Sequence, residues 1–332
     1  MTQATTWDTH RPVRPLQAFL VVGAALLLVP AGTSTVLRVL PPRDDATALV
    51  ASFIAYGVVG YVAALLLLVV ALVRARRRLA LGGLCLVVVA LTALHLSWLG
   101  PFFVRDHRPA VTPTFTIMSL NLYGGHADPD QVDRVADQAD VVVLVETTPQ
   151  ALAALQRRGW DQRYPYAVGD VRSGAASDTT IYSRFPLDPG TLVNTSFQQW
   201  LTTVHIPRVG DVRLLAAHPC NPYCGSGRWA SEHDTVNRVA QANLDQPLVV
   251  AGDFNAVDDH GPMLALRRLG LKSATDVAGA GWLPTWPANR GYPPLLPIDH
   301  VMINDRLTAT TVATFAVADT DHRGLLATLA GA

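Results

Sequence analysis

Hydrophobic residues follow two regimes along this chain, and the change comes near residue 112. Before that point three stretches carry no charged side chain: Pro15–Leu37, Ala46–Val73 and Leu79–Val104. Each is longer than the ~20 apolar residues that cross the ~30 Å hydrocarbon core of a bilayer. Apolarity on every face over such lengths fits spanning helices better than buried core helices. The pattern predicts three transmembrane helices, at about 16–37, 47–73 and 79–104, within an anchor of residues 1–112. A signal peptide is the other reading of the first stretch, although its apolar run is long for one.

From residue 113 the apolar runs become short, β-branched and separated by turn residues, which predicts one compact domain over 113–332. Thr114–Asn121 reads as a strand that delivers Asn121 at its end, and Val141–Glu146 as a fully apolar strand closed by a carboxylate. Asp128-Pro129 has the form of an N-cap followed by a first-turn proline, opening a helix to about Gln138. Thr148-Pro149 opens another, which Gly159 stops. This strand–helix–strand–helix beginning implies an α/β architecture. Later segments look antiparallel. Trp200–Ile206 and Val212–His218 flank the short turn Pro207–Asp211, as in a hairpin. Arg228–Asn243 reads as a helix and Pro247–Asp253 as a buried strand. Ile298–Ile303, Thr310–Val317 and Gly324–Leu329 read as the last strands, and Gly281–Pro297, rich in proline and tryptophan, as a structured loop beside the site.

Charge and cysteine usage sharpen the division. The whole chain balances 26 basic against 26 acidic residues, but residues 113–332 hold 16 basic and 22 acidic ones, a net of −6. No basic stripe is present, which disfavours tight non-specific nucleic-acid binding. Arg74, Arg76, Arg77 and Arg78 join the second and third apolar stretches, whereas Arg38 and Arg43 in the first connection are offset by Asp44 and Asp45. The positive-inside rule then places the Arg74–Arg78 turn and the N-terminus in the cytoplasm and residues 113–332 outside a plasma membrane. Cys220 and Cys224 are close enough to form a disulfide in an oxidising compartment, the alternative being a zinc site that lacks a second ligand pair. Cys85 lies within the third stretch as a small apolar residue.

Six polar motifs remain, in this order: Asn121 in SLNLYGG, Glu146 in VVVLVET, His218 in LLAAHPCNP, Gly252–Asn255 (GDFN), Asp299-His300 in PIDHV, and Asp321-His322 in TDHRG. Four of them follow or end an apolar run. Carboxylates, an amide and histidines at the ends of core strands are poorly placed for packing and well placed to converge on one pocket. Each motif alone has a bland reading as a cap or an Asx turn. GDFN is more specific, because an acid and an amide two apart on a strand project to the same side.

In this combination and order the motifs resemble the endonuclease/exonuclease/phosphatase superfamily, whose members include DNase I-like nucleases, sphingomyelinases and inositol phosphatases. The resemblance covers residues 113–329, including the SRFPL run Ser183–Leu187. It implies a four-layer sandwich of two mainly antiparallel β-sheets flanked by helices, here preceded by three transmembrane helices. It also implies Mg²⁺, with Mn²⁺ as a substitute, held by Glu146 with Asn121 and Asp321 nearby. By the same resemblance Asp253 would orient or deprotonate the attacking water and Asn255 would hold it or a phosphate oxygen. His322, positioned by Asp299, would contact the scissile phosphate or assist proton transfer, and His218 would help protonate the leaving group. Tyr123 stands where repair nucleases often have an acid, which points to single-metal chemistry. Asp178 is the candidate acid partner of His218, and Arg184 and Arg290 are candidate phosphate clamps. His126, His205, His233 and His260 match no motif and read as surface or packing residues, and His300 reads as structural. The anchored arrangement is similar to an actinobacterial branch linked to teicoplanin resistance and undecaprenyl pyrophosphate. The expected partner is therefore a membrane lipid or lipid-linked phosphate at the bilayer. A nuclease or a sphingomyelinase-like phosphodiesterase is the alternative, and a non-catalytic binding protein a third reading.

Overall fold

The structure is a computed structural model, and it describes residues 15–75, 78–172, 178–225 and 227–332. Arg76 and Arg77, which contribute to the predicted orientation, lie outside the described residues. The chain divides into two compact units: residues up to Leu40 with Phe53–Leu99, and Pro41–Ser52 with Gly100–Ala332.

The first unit is helical. It holds α1 (Pro15–Val39), α3 (Gly57–Arg74) and most of α4 (Arg78–Phe103), while the connector after α1 carries the short helix α2 (Asp45–Ala51), which belongs to the second unit. Three helical stretches of the described residues, Pro15–Val39, Asp45–Arg74 and Arg78–Phe103, are long and apolar enough to cross a membrane. α1 and α3 pack through small residues, with Ala24, Ala31 and Ala64 buried, and Thr35 Oγ1 lies 2.6 Å from Tyr61 Oη and 3.0 Å from His95 Nε2. The second apolar stretch is not one continuous helix. Asp44 caps α2, its carboxylate accepting from the Thr47 amide at 2.9 Å, and the turn at Ser52-Phe53 interrupts the run. Hydropathy alone cannot separate these seven residues from the apolar helix that follows, because alanine and valine suit both settings.

Besides α2, the second unit contains β1 (Phe115–Asn121), α5 (Pro129–Ala136), β2 (Val141–Val145), α6 (Pro149–Gln156), α7 (Trp160–Arg163), β3 (Tyr166–Val168), β4 (Thr180–Ser183) and β5 (Thr191–Val193). The hairpin β6 (Gln199–Ile206) and β7 (Gly210–Ala217) is next. α8 (Arg228–Gln241), β8 (Leu248–Asp253), α9 (Gly261–Arg268), β9 (Lys272–Ser273), α10 (Ala274–Ala278), β10 (Asp299–Ile303), β11 (Leu307–Phe315) and β12 (Gly324–Gly331) complete it. One sheet has the order β11-β12-β1-β2-β4-β3, the other β5-β6-β7-β8-β10-β9. All pairings are antiparallel except β1 with β2 and β7 with β8, one parallel pair at the centre of each sheet.

The four-layer sandwich follows from strands that are apolar on both faces. Ile117, Val141, Val143 and Val145 point between the sheets and meet Val212, Leu214, Val249 and Val301 from the other side. Their neighbours Met118, Leu120, Val142 and Leu144 point outward onto Val132 of α5 and Leu155 of α6. On the far face of the second sheet, Leu215, Leu248 and Val250 pack against Trp229 and Val236 of α8, Met263 and Leu266 of α9, and Ala48 of α2. The caps agree with the sequence: the Asp128 side chain accepts from the amides of Asp130 and Gln131, and Thr148 from that of Ala151.

His233 of α8 sits fully buried in that outer layer, its ring edge-on to Trp229 at 5.2 Å and stacked with Phe254. Burial pushes its pKa down to about 3 from 6.5. Between pH 6.5 and the folded value the unfolded chain binds a proton that the folded chain refuses, so this residue costs stability as pH falls through that window. His233→Phe removes the penalty. Its unfolding free energy, measured by urea titration at a series of pH values, should rise relative to wild type as pH drops from about 6.5 towards about 4, by up to a few kcal/mol. Parallel curves would contradict the assignment.

Candidate functional site

The central parallel pair of each sheet ends at the same place. Asn121 is the last residue of β1 and Glu146 follows β2; His218 follows β7 and Asp253 ends β8. Two antiparallel strands bring their starts to the same spot, β10 with Asp299 and β12 with His322 two residues before it. Asp299 pairs directly with Asp253 across the sheet.

Hydrogen bonds then tie the two sheets together. The Asn121 amide donates to Glu146 Oε1 in its own sheet at 3.0 Å and to Asp253 Oδ2 in the other at 3.0 Å. Its carbonyl oxygen accepts from the Tyr123 amide at 2.8 Å, and the Gly124 amide donates to Glu146 Oε2 at 2.7 Å. His322 Nδ1 lies 2.8 Å from Asp299 Oδ2, while its Nε2 is 3.7 Å from Asp253 Oδ2 and 3.8 Å from Asp321 Oδ1. The Asn255 amide donates to Asp253 Oδ1 at 2.8 Å, and its side chain donates to the Pro219 carbonyl at 3.1 Å, beside His218. His218 Nε2 is 3.9 Å from Glu146 Oε1.

The backbone is bent to achieve this. Tyr123, Glu146 and Asn255 have φ of 52°, 57° and 48°, a left-handed conformation that costs a non-glycine residue about 1–2 kcal/mol. Gly252 has φ of 148°, and a Cβ there would lie 1.9 Å from the Ala217 carbonyl oxygen. Only glycine lets β7 and β8 approach closely enough to set His218 beside Asp253.

Asp253, Asp299 and Asp321 place three carboxylates around the His322 imidazole. Burial would lower the His322 pKa, but the charges of Asp299 and Asp253 and the bond from Asp299 outweigh it and push it up to about 10. Burial raises Glu146 and Asp253 above the ordinary carboxylate range. For His218 burial outweighs the nearby Asp253 charge and pushes its pKa down to about 4, so it is neutral at about pH 7.

A divalent cation fits this donor set. The site offers hard oxygens and an excess of negative charge, and Asp299 Oδ1 and Asp321 Oδ1 are buried without a hydrogen-bond partner. Asp253, Asp299 and His322 bring one ligand atom each within 4.8 Å of one another. Carboxylate oxygens dominate the cluster and no thiolate is present in it, which suits an oxygen-seeking ion better than zinc.

Several sequence expectations are corrected here. Asp178 does not support His218. It pairs with Arg172 at 2.6 Å, and His218 Nδ1 is buried without a partner, the ring resting instead on Phe197 at 4.7 Å. Arg184 is not at the site. The register Val141↔Ser183 puts it at the opposite end of β2 from Glu146, where it bonds the Asp137 carbonyl at 2.7 Å and lies over Tyr164. Arg290 is exposed in the loop that borders Asp321. Other expectations are met: Cys220 and Cys224 are joined as a disulfide, with Cα atoms 6.3 Å apart. His300 is structural, its Nε2 bonded to the Ala256 carbonyl at 2.8 Å.

Other functional contacts carry no motif. Trp286 Nε1 donates to Asp321 Oδ2 at 3.1 Å, and the Ala288 amide bonds the Asp321 carbonyl at 2.7 Å. The Thr320 hydroxyl donates to the Asn121 carbonyl at 2.8 Å, and Gln199 accepts from the His218 amide. The composition of Gly281–Pro297 is the only sequence signal for Trp286.

Known proteins share this arrangement of elements. The family model described as the endonuclease/exonuclease/phosphatase family matches residues 118–322. The chain belongs to that family. Its fold is shared by an endonuclease/exonuclease/phosphatase from Beutenbergia cavernae, at 20% identity and TM-score 0.51, covering 66% of this chain and 72% of that one. A humanized D. rerio TDP2 matches at 17% identity and TM-score 0.54, covering 65% and 98%. A family protein from Bacteroides vulgatus matches at 15% identity and TM-score 0.53, covering 66% and 100%. No curated protein sequence matches the chain.

The charge on His322 is open to direct measurement. In Asp299→Asn protein freed of divalent ions, the His322 imidazole should titrate well below its wild-type value. Selective ¹⁵N-histidine NMR in detergent would follow it. An unchanged titration would mean that Asp299 does not set its charge.

Proposed function

We propose that the chain is a membrane-anchored hydrolase of phosphoester or pyrophosphate bonds, dependent on Mg²⁺ or Mn²⁺, with its catalytic unit on the external face of the plasma membrane. One observation carries the reading: the Asn121 amide joins Glu146 to Asp253, and His322 lies beside the same Asp253 carboxylate. Membership of the family supports hydrolysis at phosphorus.

Glu146 would hold the cation, with Asn121 and Asp321 near it. When bound, the ion supplies positive charge to the non-bridging and departing oxygens of the phosphate. Asp253 aims a water molecule at phosphorus and takes its proton, a role its raised pKa favours. Asn255 limits that water's approach. The new bond forms between the water oxygen and phosphorus as the bond to the leaving oxygen breaks. His322, charged and locked by Asp299, donates a hydrogen bond to a phosphate oxygen where negative charge grows. His218 is neutral at about pH 7, so it serves the leaving oxygen as a hydrogen-bond donor and not as an imidazolium acid.

The substrate we favour is a lipid phosphate such as undecaprenyl pyrophosphate. Spans long enough to cross a bilayer keep a covalently attached pocket at high effective concentration for lipid headgroups. The net charge of −6 over residues 113–332 disfavours nucleic acid as the ordinary substrate. Full-length protein in detergent with Mg²⁺ should release inorganic phosphate from a polyprenyl pyrophosphate and leave plasmid DNA and sphingomyelin intact. Glu146→Ala, Asp253→Ala and His322→Ala should each lower that rate by about 10²–10⁴-fold while the protein stays folded. Nicked DNA with no phosphate release would overturn the substrate assignment, and wild-type turnover by any of these variants would overturn the site.

A further inference from the structure

The loop Asp253–His260, which carries Asp253 and Asn255, is held from behind by three side chains. Trp229 Nε1 donates to the Asn255 carbonyl at 3.0 Å, and His300 Nε2 bonds the Ala256 carbonyl. His260 Nδ1 accepts from the Val257 amide at 3.0 Å. That bond fixes the tautomer: the proton sits on His260 Nε2, which donates to the Ala48 carbonyl at 2.9 Å. Ala48 belongs to α2, 212 residues away in sequence.

α2 is built into this layer in several further ways. The Gly227 amide, at the head of the helix that carries Trp229, donates to Asp45 Oδ2 at 3.2 Å. Arg43 pairs with Asp234 of the same helix. Ala48 is fully buried in the same apolar cluster as Trp229, Phe254 and Ala256, and the Trp229 ring stands edge-on to His260 at 5.1 Å. A segment that serves only to connect two apolar helices requires none of these contacts.

We infer that α2 is a positioning element for the loop that bears Asp253 and Asn255, acting through His260. This rests on the hydrolase reading of that loop. His260 touches no reacting group; it sets where the Val257 backbone stands, and so how the strained Asn255 turn is held. The residues between the first two apolar helices thus complete the catalytic unit as well as connecting the spans.

Two replacements divide the bridge. Asparagine places its carboxamide oxygen near the position of Nδ1, so His260→Asn keeps the Val257 bond and loses Ala48. Glutamine reaches the position of Nε2, so His260→Gln keeps the Ala48 bond. In full-length detergent-solubilised protein, His260→Asn should lower kcat about tenfold with KM within about twofold. It should also speed amide exchange over residues 253–257 by about five- to tenfold, as for one net hydrogen bond lost. His260→Gln, which keeps Ala48 but loses the Val257 bond, should cut the bridge at its other end and impair both properties to a similar extent. Asp44→Ala, which removes the cap of α2 without touching the site, should change both in the same direction as His260→Asn, by a few fold. Tyr164→Phe, a destabilising change in the other sheet's outer layer, should alter neither. Wild-type exchange over 253–257 in His260→Asn would overturn the inference, as would an Asp44→Ala protein with wild-type kcat and exchange. If wild-type protein hydrolysed no phosphoester, the proposed function would fall while the exchange measurements still decided this point.

Discussion

The buried side chain of Asn121 is the contact on which this site depends. Its amide donates two hydrogen bonds, one to each sheet, and its oxygen accepts a third from Tyr123. A buried amide left with empty valences costs about 1–3 kcal/mol each, so the three partners hold one another in place. That satisfied network brings two carboxylates within reach of a single side chain. Neither carboxylate is neutralised by a paired lysine or arginine among the described residues, which leaves their charge available to a cation.

Placement of the site follows from topology more than from any loop. Each sheet contains one parallel pair at its centre, and the two pairs end at the same edge of the sandwich. Strands buried on both faces must be almost wholly apolar, so polar groups collect where those strands stop. Gly252 then permits a separation that any side chain would forbid. Three non-glycine residues in left-handed backbone mark where the fold gives up stability to aim functional groups.

Much of this is readable from the sequence, for physical reasons that also mark its limits. β1, β2 and β8 are legible because a long apolar run ending in a lone polar residue suits a buried strand and little else. β3, β5 and β9 are two or three residues long and carry no periodicity to detect. Asp178 and Arg184 fall away from the site because residue type does not fix a side chain's neighbours. Strand register sets those of Arg184, and a guanidinium six residues away claims Asp178. The neutrality of His218 is equally out of reach, since burial sets it and burial is a property of the packed whole. α2 is hidden inside an apolar run that composition assigns entirely to the bilayer.

Anomalous diffraction from crystals of the full chain soaked in Mn²⁺ tests the central claim most directly. The expected result is a single strong peak beside the Glu146 carboxylate, with Asn121 and Asp321 as the nearest other donors and His322 still bonded to Asp299. A peak elsewhere, or a site that stays empty at millimolar Mn²⁺, would contradict it.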